Sequence, residues 1–335
     1  MKKRLIFLAG LISFPLLYSI RIPPDEFYYA GFVSLFIPFL IFFNVFCLFY
    51  GLSKREYVAI FPLLILIVYY PSWKACFSLT KSTLSGNHSF TVLSYNLNAL
   101  GYFRNEGEYK RNLSAFDKAF SMSAVDVLCF QEMIEPHQEG IDLTGYTKVR
   151  SVKKTFDGHY LGLYMYSKFP VVDTGEIEFA HNSYNRLMWT DILIRDDTVR
   201  VVNAHLMSYD FGGTMKGALG KIRRGLMARS WHTKVIMDFL DKSPHPIVLC
   251  GDFNENPLSY PYRSISSKLE DSFLGSGSFM APTYYLSNII PYRIDYIFVS
   301  KQLETADYNM VIDLPDSWSD HYPVSVRIAL PNRGE

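Results

Sequence analysis

The organisation of this chain is clearest in the segment Pro246-Ile247-Val248-Leu249-Cys250-Gly251-Asp252-Phe253-Asn254-Glu255-Asn256-Pro257. Four apolar residues between a proline and a glycine predict a buried strand, and polar residues begin where that strand ends. In an open α/β sheet, ligands bind beyond the carboxyl ends of the strands. Asp252 and Asn254 are two residues apart, so an extended backbone directs both side chains to one side. A carboxylate beside an amide suits a site that orients a water or a hard cation, although the same residues are also common in turns.

Composition excludes several classes of protein. The 335 residues are 49% hydrophobic and 16% aromatic, which is enough to bury a large core and more than one ordinary domain needs. Lys and Arg total 33 against 32 for Asp and Glu, so the chain has no global basic field of the kind that marks general nucleic-acid binding. The 4 cysteines have no CxxC or Cys/His spacing, which argues against a zinc site and a disulfide framework.

The first eighty residues contain three long apolar runs. Each is about as long as the roughly 20 residues that cross a bilayer, except that the first is shorter and contains Pro15. The alternatives are a cleaved signal peptide for the first run and buried core helices for the others, but no small-residue cleavage site follows Ile20. We therefore predict a membrane anchor over residues 1–80 with about three transmembrane helices, at about 5–20, 27–50 and 57–78.

Positive charges predict the orientation of these helices. Short loops rich in Lys and Arg stay on the cytoplasmic side of a membrane. The basic residues divide five against three between the two sides of the predicted spans: Lys2, Lys3, Arg4, Lys54 and Arg55 on one side, and Arg21, Lys74 and Lys81 on the other. The larger group should be cytoplasmic, and an odd number of crossings then places the rest of the chain on the periplasmic or extracellular side of the cell (inner) membrane.

A short polar linker, residues 81–88, precedes a domain over residues 89–331 in which apolar strands repeatedly end on polar residues. A carboxylate or histidine in that position is individually more often a helix cap or a structural group. Together, several such residues make a poor core but a good hydrolytic centre, because a hard cation needs oxygen ligands and phosphoryl transfer needs an acid or base. The residues in question are Asn96, Glu132, His205, Asp252, Asn254, Asp295, Asp320 and His321.

Six short motifs then occur in an order that resembles the endonuclease/exonuclease/phosphatase superfamily, which includes pancreatic-type deoxyribonucleases and neutral sphingomyelinases. Six motifs in order are far more specific than any one alone. They are Ser94-Tyr95-Asn96, Phe130-Gln131-Glu132, Asn203-Ala204-His205-Leu206, Gly251-Asp252-Phe253-Asn254, Arg293-Ile294-Asp295-Tyr296-Ile297 and Ser319-Asp320-His321-Tyr322-Pro323-Val324.

The resemblance implies an α/β fold, a four-layer sandwich of two mixed β-sheets packed face to face with helices outside. It implies metal binding by Glu132 with Asp320 nearby, Mg²⁺ being the expected cofactor and Mn²⁺ the alternative. Further implied roles are phosphate binding by Asn96 and Asn254, orientation or deprotonation of water by Asp252, and transition-state stabilisation or proton transfer by His321 held by Asp295, with His205 as a second catalytic histidine. Asn98 occupies a position where some members carry an aspartate.

These observations predict a membrane-anchored, metal-dependent phosphoesterase that hydrolyses phosphodiester bonds. Nucleic acid and a phospholipid or sphingolipid headgroup both stay open as substrates, and no obligate protein partner is inferred. The alternative is a catalytically inactive binding or scaffold module of the same fold on the membrane, since fold alone does not establish activity. Arg229 and Arg293 are further candidates to face phosphate, with a solvated helix face as the alternative for Arg229.

Overall fold

The computed structural model describes residues 2–85, 88–136, 141–180, 184–209, 215–286, 290–310, 314–315 and 318–331. The chain divides into two compact units. The N-terminal unit comprises Met1–Phe77, Ser208–Lys234 and Glu255–Ile265. The sandwich unit comprises Ser78–Met207, Val235–Asn254 and Ser266–Glu335.

The first 77 residues form short helices instead of three long ones. They are α1 (Lys2–Tyr18), α2 (Tyr28–Ser34), α3 (Ile37–Ser53), α4 (Ile60–Val68) and α5 (Tyr70–Trp73). The apolar run 27–50 is broken between α2 and α3, and the run 57–78 between α4 and α5. A proline lies in the first turn of both α3 and α5. Proline has no N–H and collides with the preceding turn, so each helix has to begin anew there.

No single helix in the described part of the chain is long and apolar enough to cross a membrane alone. Two pairs of helical segments reach the required length and composition only when each pair is taken together. One is Tyr28–Ser34 with Ile37–Ser53, bent by 54°, and the other is Tyr57–Val68 with Tyr70–Cys76, bent by 53°. The three transmembrane helices therefore stay a prediction.

Helices α1, α3 and α4 pack closely because small residues lie between them. A Cβ atom added to Gly51 would lie 2.8 Å from Cβ of Ala59, and one added to Gly10 would lie 2.9 Å from Cβ of Phe61. Close approach of this kind is typical of helices packed in membranes. The amide of Asn44 donates to the hydroxyl of Ser13 at 2.8 Å, and both residues are buried.

The sandwich unit contains two mixed six-stranded sheets, as predicted. The first has the order β13 (Glu304–Met310), β14 (Val324–Ala329), β1 (Ser89–Asn96), β2 (Val127–Glu135), β4 (Tyr160–Ser167) and β3 (Thr147–Lys154). The second has the order β5 (Val171–Glu178), β6 (Arg186–Ile194), β7 (Asp197–His205), β8 (Ile247–Asp252), β12 (Asp295–Ser300) and β9 (Leu269–Asp271). The remaining elements are the hairpin β10 (Tyr284–Leu286) and β11 (Ile290–Tyr292) and the helices α6 (Glu106–Ser121), α7 (Met215–Asp241) and α8 (Tyr260–Ser266).

Strand pairing brings the predicted site residues to one end of this unit. Strand β7 runs parallel to β8 with His205 beside Asp252, and β12 runs antiparallel to β8 with Asp295 opposite Asp252. In the first sheet, β1 runs parallel to β2 with Asn96 beside Gln131. Polar residues at these strand ends therefore converge.

Two apolar layers hold the sandwich unit together. The layer between the sheets includes Val92 and Cys129 from the first sheet and Val201 and Val248 from the second, each with no exposed surface. A second layer covers the outer face of the first sheet, where α6 packs. It contains Phe116, Phe120, Phe130 and Trp318. Because successive side chains along a strand point to opposite faces, the first sheet contributes residues to both layers.

Gly251 is required by the backbone at the end of β8. Its φ is +144°, and an added Cβ would lie 1.8 Å from the carbonyl oxygen of Ala204 on β7. Backbone cannot yield as a flexible side chain does. We expect Gly251→Ala to lower the free energy of unfolding by about 3 kcal/mol or more, because strain and the collision add. Thermal unfolding of the full chain followed by circular dichroism measures this loss.

Gly220→Ala is the matched control, because a Cβ on Gly220 in α7 meets no atom within 4 Å. Alanine is the better helix former, so this variant should unfold at the same temperature as the wild type or higher. Equal unfolding temperatures for the two variants would contradict the steric argument.

Candidate active site

The carboxylate of Asp252 lies at the centre of the residues that the sequence singled out. Its Oδ2 accepts hydrogen bonds from the amides of Asn96 at 2.9 Å and Asn254 at 3.0 Å, and its Oδ1 accepts from the backbone N–H of Asn254 at 2.8 Å. Nε2 of His205 lies 3.8 Å from Oδ2, and Nε2 of His321 lies 3.9 Å from it. Asp252 is 1% exposed. The two amides and the two histidines therefore all lie close to the one buried carboxylate of Asp252.

Glu132 and His205 form one side of the site. Nε2 of His205 lies 3.2 Å from Oε1 of Glu132, which also accepts from the amide of Asn96 at 3.3 Å. No aligned hydrogen-bond partner for Nε2 of His205 is found within the described ranges. The side chain of Glu132 keeps 31% of its surface exposed. The carboxylate of Glu132 is therefore open to an ion from solvent.

His321 and Asp295 form the other side. Nδ1 of His321 lies 3.0 Å from Oδ2 and 3.2 Å from Oδ1 of Asp295. The backbone fixes the histidine as well, because the hydroxyl of Ser319 accepts from the N–H of His321 at 3.0 Å and donates to the carbonyl of Asn96 at 2.7 Å. An imidazole held at Nδ1 by a carboxylate presents Nε2 to the site.

Several residues at the site adopt left-handed backbone conformations that non-glycine residues rarely take. Glu132 has φ +47° at a bulge where the pairing of β2 with β4 shifts, and Asn254 has φ +51°. Asn98, Ala99 and Leu100 have φ of +42°, +53° and +52° in succession. Bulges redirect side chains, and strain of roughly 1–3 kcal/mol per residue persists where surrounding contacts enforce it. The strain is concentrated where the predicted site lies.

Two buried amides, Gln131 and Asn203, come shortly before Glu132 and His205 in the sequence and join the two sheets. The amide of Gln131 on β2 donates to Oδ1 of Asn203 on β7 at 2.7 Å and to the hydroxyl of Ser94 at 3.1 Å. Asn203 in turn donates to the carbonyls of Phe130 and Tyr164 at 3.0 and 3.1 Å. The sequence motifs contained both amides without indicating this role. Their position inside otherwise apolar strands was the available signal.

Asp320 belongs to neither of the two carboxylate–histidine pairs. It is exposed, and its Oδ1 accepts a hydrogen bond from the amide of Asn98 at 2.8 Å. Asn98, at the position where some family members carry an aspartate, thus binds the carboxylate that the sequence paired with Glu132 as a metal ligand. The metal role of Asp320 stays a prediction.

Tyr284 is a site neighbour that the sequence did not indicate. Its ring centroid lies 5.1 Å from that of His321, and a single β-bridge joins the two backbones. Burial, together with the charges of Asp320 and Asp252, raises the pKa of the Tyr284 hydroxyl, which keeps it protonated. The sequence alone could not identify this tyrosine, because its contact with His321 depends on where the hairpin β10–β11 lies in the fold.

The suggestion that Arg229 and Arg293 face phosphate was wrong. Nη1 of Arg293 lies 2.8 Å from Oδ2 of Asp271, and both side chains are at most 5% exposed. Arg229 is fully buried in the N-terminal unit, where its Nε donates to Oε1 of Glu255 at 2.8 Å. The alternative of a solvated helix face for Arg229 was also wrong. A buried guanidinium needs a buried carboxylate, and each arginine has one.

The residues present fit a divalent cation. Among the described residues, two groups of three offer ligand atoms within 4.8 Å of one another: Glu132 with His205 and Asp252, and Asp252 with Asp295 and His321. Carboxylate and amide oxygens are the ligands that Mg²⁺ prefers. The partly exposed carboxylate of Glu132 makes the first group the better fit.

The buried charges shift one another's pKa values. Burial opposes ionisation of Glu132, but its contact with His205 and the amide of Asn96 outweigh burial and lower the pKa of Glu132 to about 2. Burial and the charge of Asp295 raise the pKa of Asp252 to about 6. Burial opposes protonation of His321, but the charges of Asp295 and Asp252 raise its pKa to about 10. Burial likewise opposes protonation of His205, yet Glu132 and Asp252 raise its pKa.

The raised pKa of His321 predicts how the stability of the metal-free protein depends on pH. Protonated His321 favours the folded state, so its contribution is fully present below 6.5, its ordinary value, and is lost as pH rises towards 10. We expect the difference in urea unfolding midpoint between wild type and His321→Asn to shrink between pH 6.5 and pH 10 in excess chelator. The corresponding variant of an exposed histidine, His88→Asn, is the control. A difference that stays constant or grows with pH would contradict the ion pair.

Comparisons with known proteins agree with this geometry. A model of the Endonuclease/Exonuclease/phosphatase family matches residues 93–321, and one of a Domain of unknown function (DUF8431) matches residues 3–76. The search of curated proteins gave no significant match.

Solved structures resemble the chain in fold. A family protein from Bacteroides thetaiotaomicron has TM-score 0.57 at 20% identity, covering 73% of this chain and 99% of its own. A mannosyl-6-phosphatase from the same organism has TM-score 0.53 at 20% identity, covering 72% and 100%. A humanized D. rerio TDP2 has TM-score 0.53 at 14% identity, covering 72% and 98%. At such identities the likeness concerns the fold alone.

Proposed function

The chain belongs to the endonuclease/exonuclease/phosphatase family, and from that premise we propose that it is a membrane-anchored, metal-dependent hydrolase of phosphodiester bonds. One observation carries the proposal, namely a buried carboxylate, Asp252, between two histidines and two amides. Members of this family act on phosphate esters, and the donors and carboxylates collected here suit water attack on phosphorus.

Asp252 acts as the general base in this proposal. A base works best when its pKa lies close to the working pH, and the pKa of about 6 satisfies that condition. Oδ2 accepts the proton of the attacking water. The amides of Asn96 and Asn254 each donate to Oδ2 and to a second acceptor, Oε1 of Glu132 at 3.3 Å and the carbonyl of Leu206 at 3.1 Å, so a phosphoryl oxygen would take the place of one of these acceptors. Their phosphate-binding role stays a prediction.

His321 supplies positive charge. With a pKa of about 10 it is protonated at neutral pH, and Asp295 holds its ring. A fixed N–H donor in a buried site stabilises the charge that develops on a phosphoryl oxygen without reorganisation. His205 supplies the second proton-carrying group, suited to the leaving oxygen of a diester. Two histidines on opposite sides of Asp252 therefore favour a diester over a monoester.

Glu132 would hold the metal ion, which leaves Asp252 and His205 available to carry protons. When bound, Mg²⁺ neutralises charge on the phosphoryl group and polarises it; Mn²⁺ is the alternative. Glu132 suits this role because its lowered pKa keeps it ionised and its side chain is partly exposed.

The surface of the N-terminal unit supports membrane anchoring. Helix α3 exposes Phe39, Phe42, Phe46 and Phe49 by 65% to 70%, at helical spacing along one face. The opposite face of the same helix buries Asn44. A helix with apolar residues outside and a polar residue inside reverses the pattern of water-soluble proteins. Such a surface suits contact with lipid.

The helix ends support the predicted orientation. Nζ of Lys3 lies 2.8 Å from Oε2 of Glu56, so the start of α1 lies beside the segment that follows α3. The basic residues at 2–4 and 54–55 therefore share one end of the helices. Those residues are retained in the cytoplasm by the positive-inside rule, which favours a catalytic domain on the periplasmic or extracellular side.

We expect hydrolysis of bis(4-nitrophenyl) phosphate by the detergent-solubilised chain to require a divalent cation. Glu132→Gln should raise the Mg²⁺ concentration for half-maximal rate at least tenfold, because it removes an ionised oxygen ligand. Asp252→Asn should lower kcat about a hundredfold or more, as loss of a general base usually does. The measurement is release of 4-nitrophenolate with and without chelator.

Controls come from exposed carboxylates of the same kind, Glu270→Gln and Asp196→Asn, which should behave as wild type. Undiminished turnover in excess chelator would contradict metal dependence. A folded wild type with no turnover would favour the inactive scaffold. Parallel assays with plasmid DNA and with vesicles of phosphatidylcholine and sphingomyelin identify the substrate class.

The orientation is tested with reporters fused after Glu335. Alkaline phosphatase, which folds actively only outside the cytoplasm, should be active there, whereas a fluorescent protein that needs the cytoplasm should be dark. The same reporters fused after Ser53, at the end of α3 that we predict to be cytoplasmic, should give the opposite pattern. A fluorescent fusion at Glu335 would place the catalytic domain in the cytoplasm.

A further inference from the structure

The segment that follows the Asp252–Asn254 motif belongs to the N-terminal unit. Asn254 is the last residue of its part of the sandwich unit, and Glu255–Ile265 is grouped with the first 77 residues. The chain therefore passes directly from the general base and its amide partner into the unit that contains the apolar helices. This continuity is a covalent connection between the two regions.

Glu255 is held by a buried arginine and a tyrosine. Nε of Arg229 and the hydroxyl of Tyr209 donate to its Oε1 at 2.8 and 3.1 Å. The guanidinium carbon lies 3.7 Å from the centroid of the Tyr209 ring. Arg229 and Glu255 are 0% and 2% exposed. A buried ion pair of this kind is intolerant of displacement, because separating the charges leaves each one desolvated.

Three residues further on, Leu258 is part of the hydrophobic core of the N-terminal helices. It is 3% exposed and clusters with Leu17 and Ile20 at the end of α1, Ile37 of α3 and Ile65 of α4. A side chain with these neighbours fixes the backbone that carries it. The helices thereby constrain the chain four residues after Asn254.

A second set of contacts joins the loop between α1 and α2 to helix α7. Nζ of Lys234 lies 2.8 Å from Asp25 and 2.9 Å from Glu26, and the hydroxyl of Ser230 donates to Asp25 at 2.5 Å. Ser230 and Lys234 lie within one and a half turns of Arg229 on the same helix. A rigid helix therefore connects the loop with the partner of Glu255.

We propose that the N-terminal helices position the loop formed by residues 253–258, with Leu258, Arg229 and Glu255 as positioning residues that act through Asn254. The proposal rests on the proposed function, in which Asn254 supports Asp252. The helices then contribute to turnover as well as to anchoring. Loosening their contact with Leu258 lets the Asn254 backbone leave its left-handed conformation, and Asp252 loses two hydrogen bonds from that residue.

The test uses the full chain in detergent micelles and bis(4-nitrophenyl) phosphate. Leu258→Ala should lower kcat at least tenfold with KM changed less than threefold, and should speed amide hydrogen exchange of residues 253–258. Leu258→Met, which restores the volume, should recover most of the rate. Leu219→Ala is the matched control, because Leu219 lies on α7 and is 53% exposed. Unchanged kcat and exchange in folded Leu258→Ala would overturn the proposal.

A charge reversal provides a second route in case Leu258→Ala does not fold. Lys234→Glu should lower kcat severalfold by repelling Asp25 and Glu26, and adding Asp25→Lys with Glu26→Lys should restore it. Reversal of the exposed pair in Lys242→Glu should leave kcat unchanged. A Lys234→Glu rate equal to wild type overturns the positioning role.

The two proposals fail in distinguishable ways. A wild type that hydrolyses no phosphodiester refutes the proposed function, while hydrogen exchange at residues 253–258 still reports whether the helices constrain the loop. Exchange that does not respond to Leu258→Ala or to Lys234→Glu refutes the positioning role, whatever the activity.

Discussion

The hydrogen bond between Gln131 and Asn203 is the constraint on which the site depends. It joins β2 of one sheet to β7 of the other at 2.7 Å, in an interior otherwise filled by apolar side chains. Amides buried there are costly unless paired, so the relative register of the two strands is limited to one that brings these two amides together. Glu132 is the next residue after one amide, and His205 lies two residues after the other. The distance between Glu132 and His205 is thereby fixed by two amides that lie outside the candidate site.

Charge balance explains why so many ionisable groups share a small volume. Glu132 is compensated by His205, and Asp295 by His321, which leaves Asp252 between two compensated pairs. Its own compensation comes from neutral amides, and its pKa is raised whereas the pKa of Glu132 is lowered. The site thus assigns different protonation states to chemically similar groups through their neighbours.

The sequence predicted the sandwich and the convergence of most candidate site residues, because both depend on local patterns. Apolar runs ending on Asn96, His205 and Asp252 became β1, β7 and β8, and the predicted residues converge as the strand order requires. The charged edge strand β3 and the polar strand β13 were not predicted from the sequence. Strands that are only partly covered need no alternation of apolar residues. The buried state of Arg229 escaped because its partner, Glu255, is distant in sequence. The uninterrupted helix expected over 27–50 failed at a single proline, which composition averages conceal.

The pairing of β1 with β14 has a consequence for biosynthesis. Strand β1 lies in the middle of the first sheet, yet its antiparallel partner is the last strand, with Ser89 opposite Ala329. A ribosome adding about 5–20 residues per second needs on the order of ten seconds or more to make the chain between them. During that interval β1 presents an unpaired apolar edge. The edge of β1 therefore stays open to wrong strand pairing until β14 has been made.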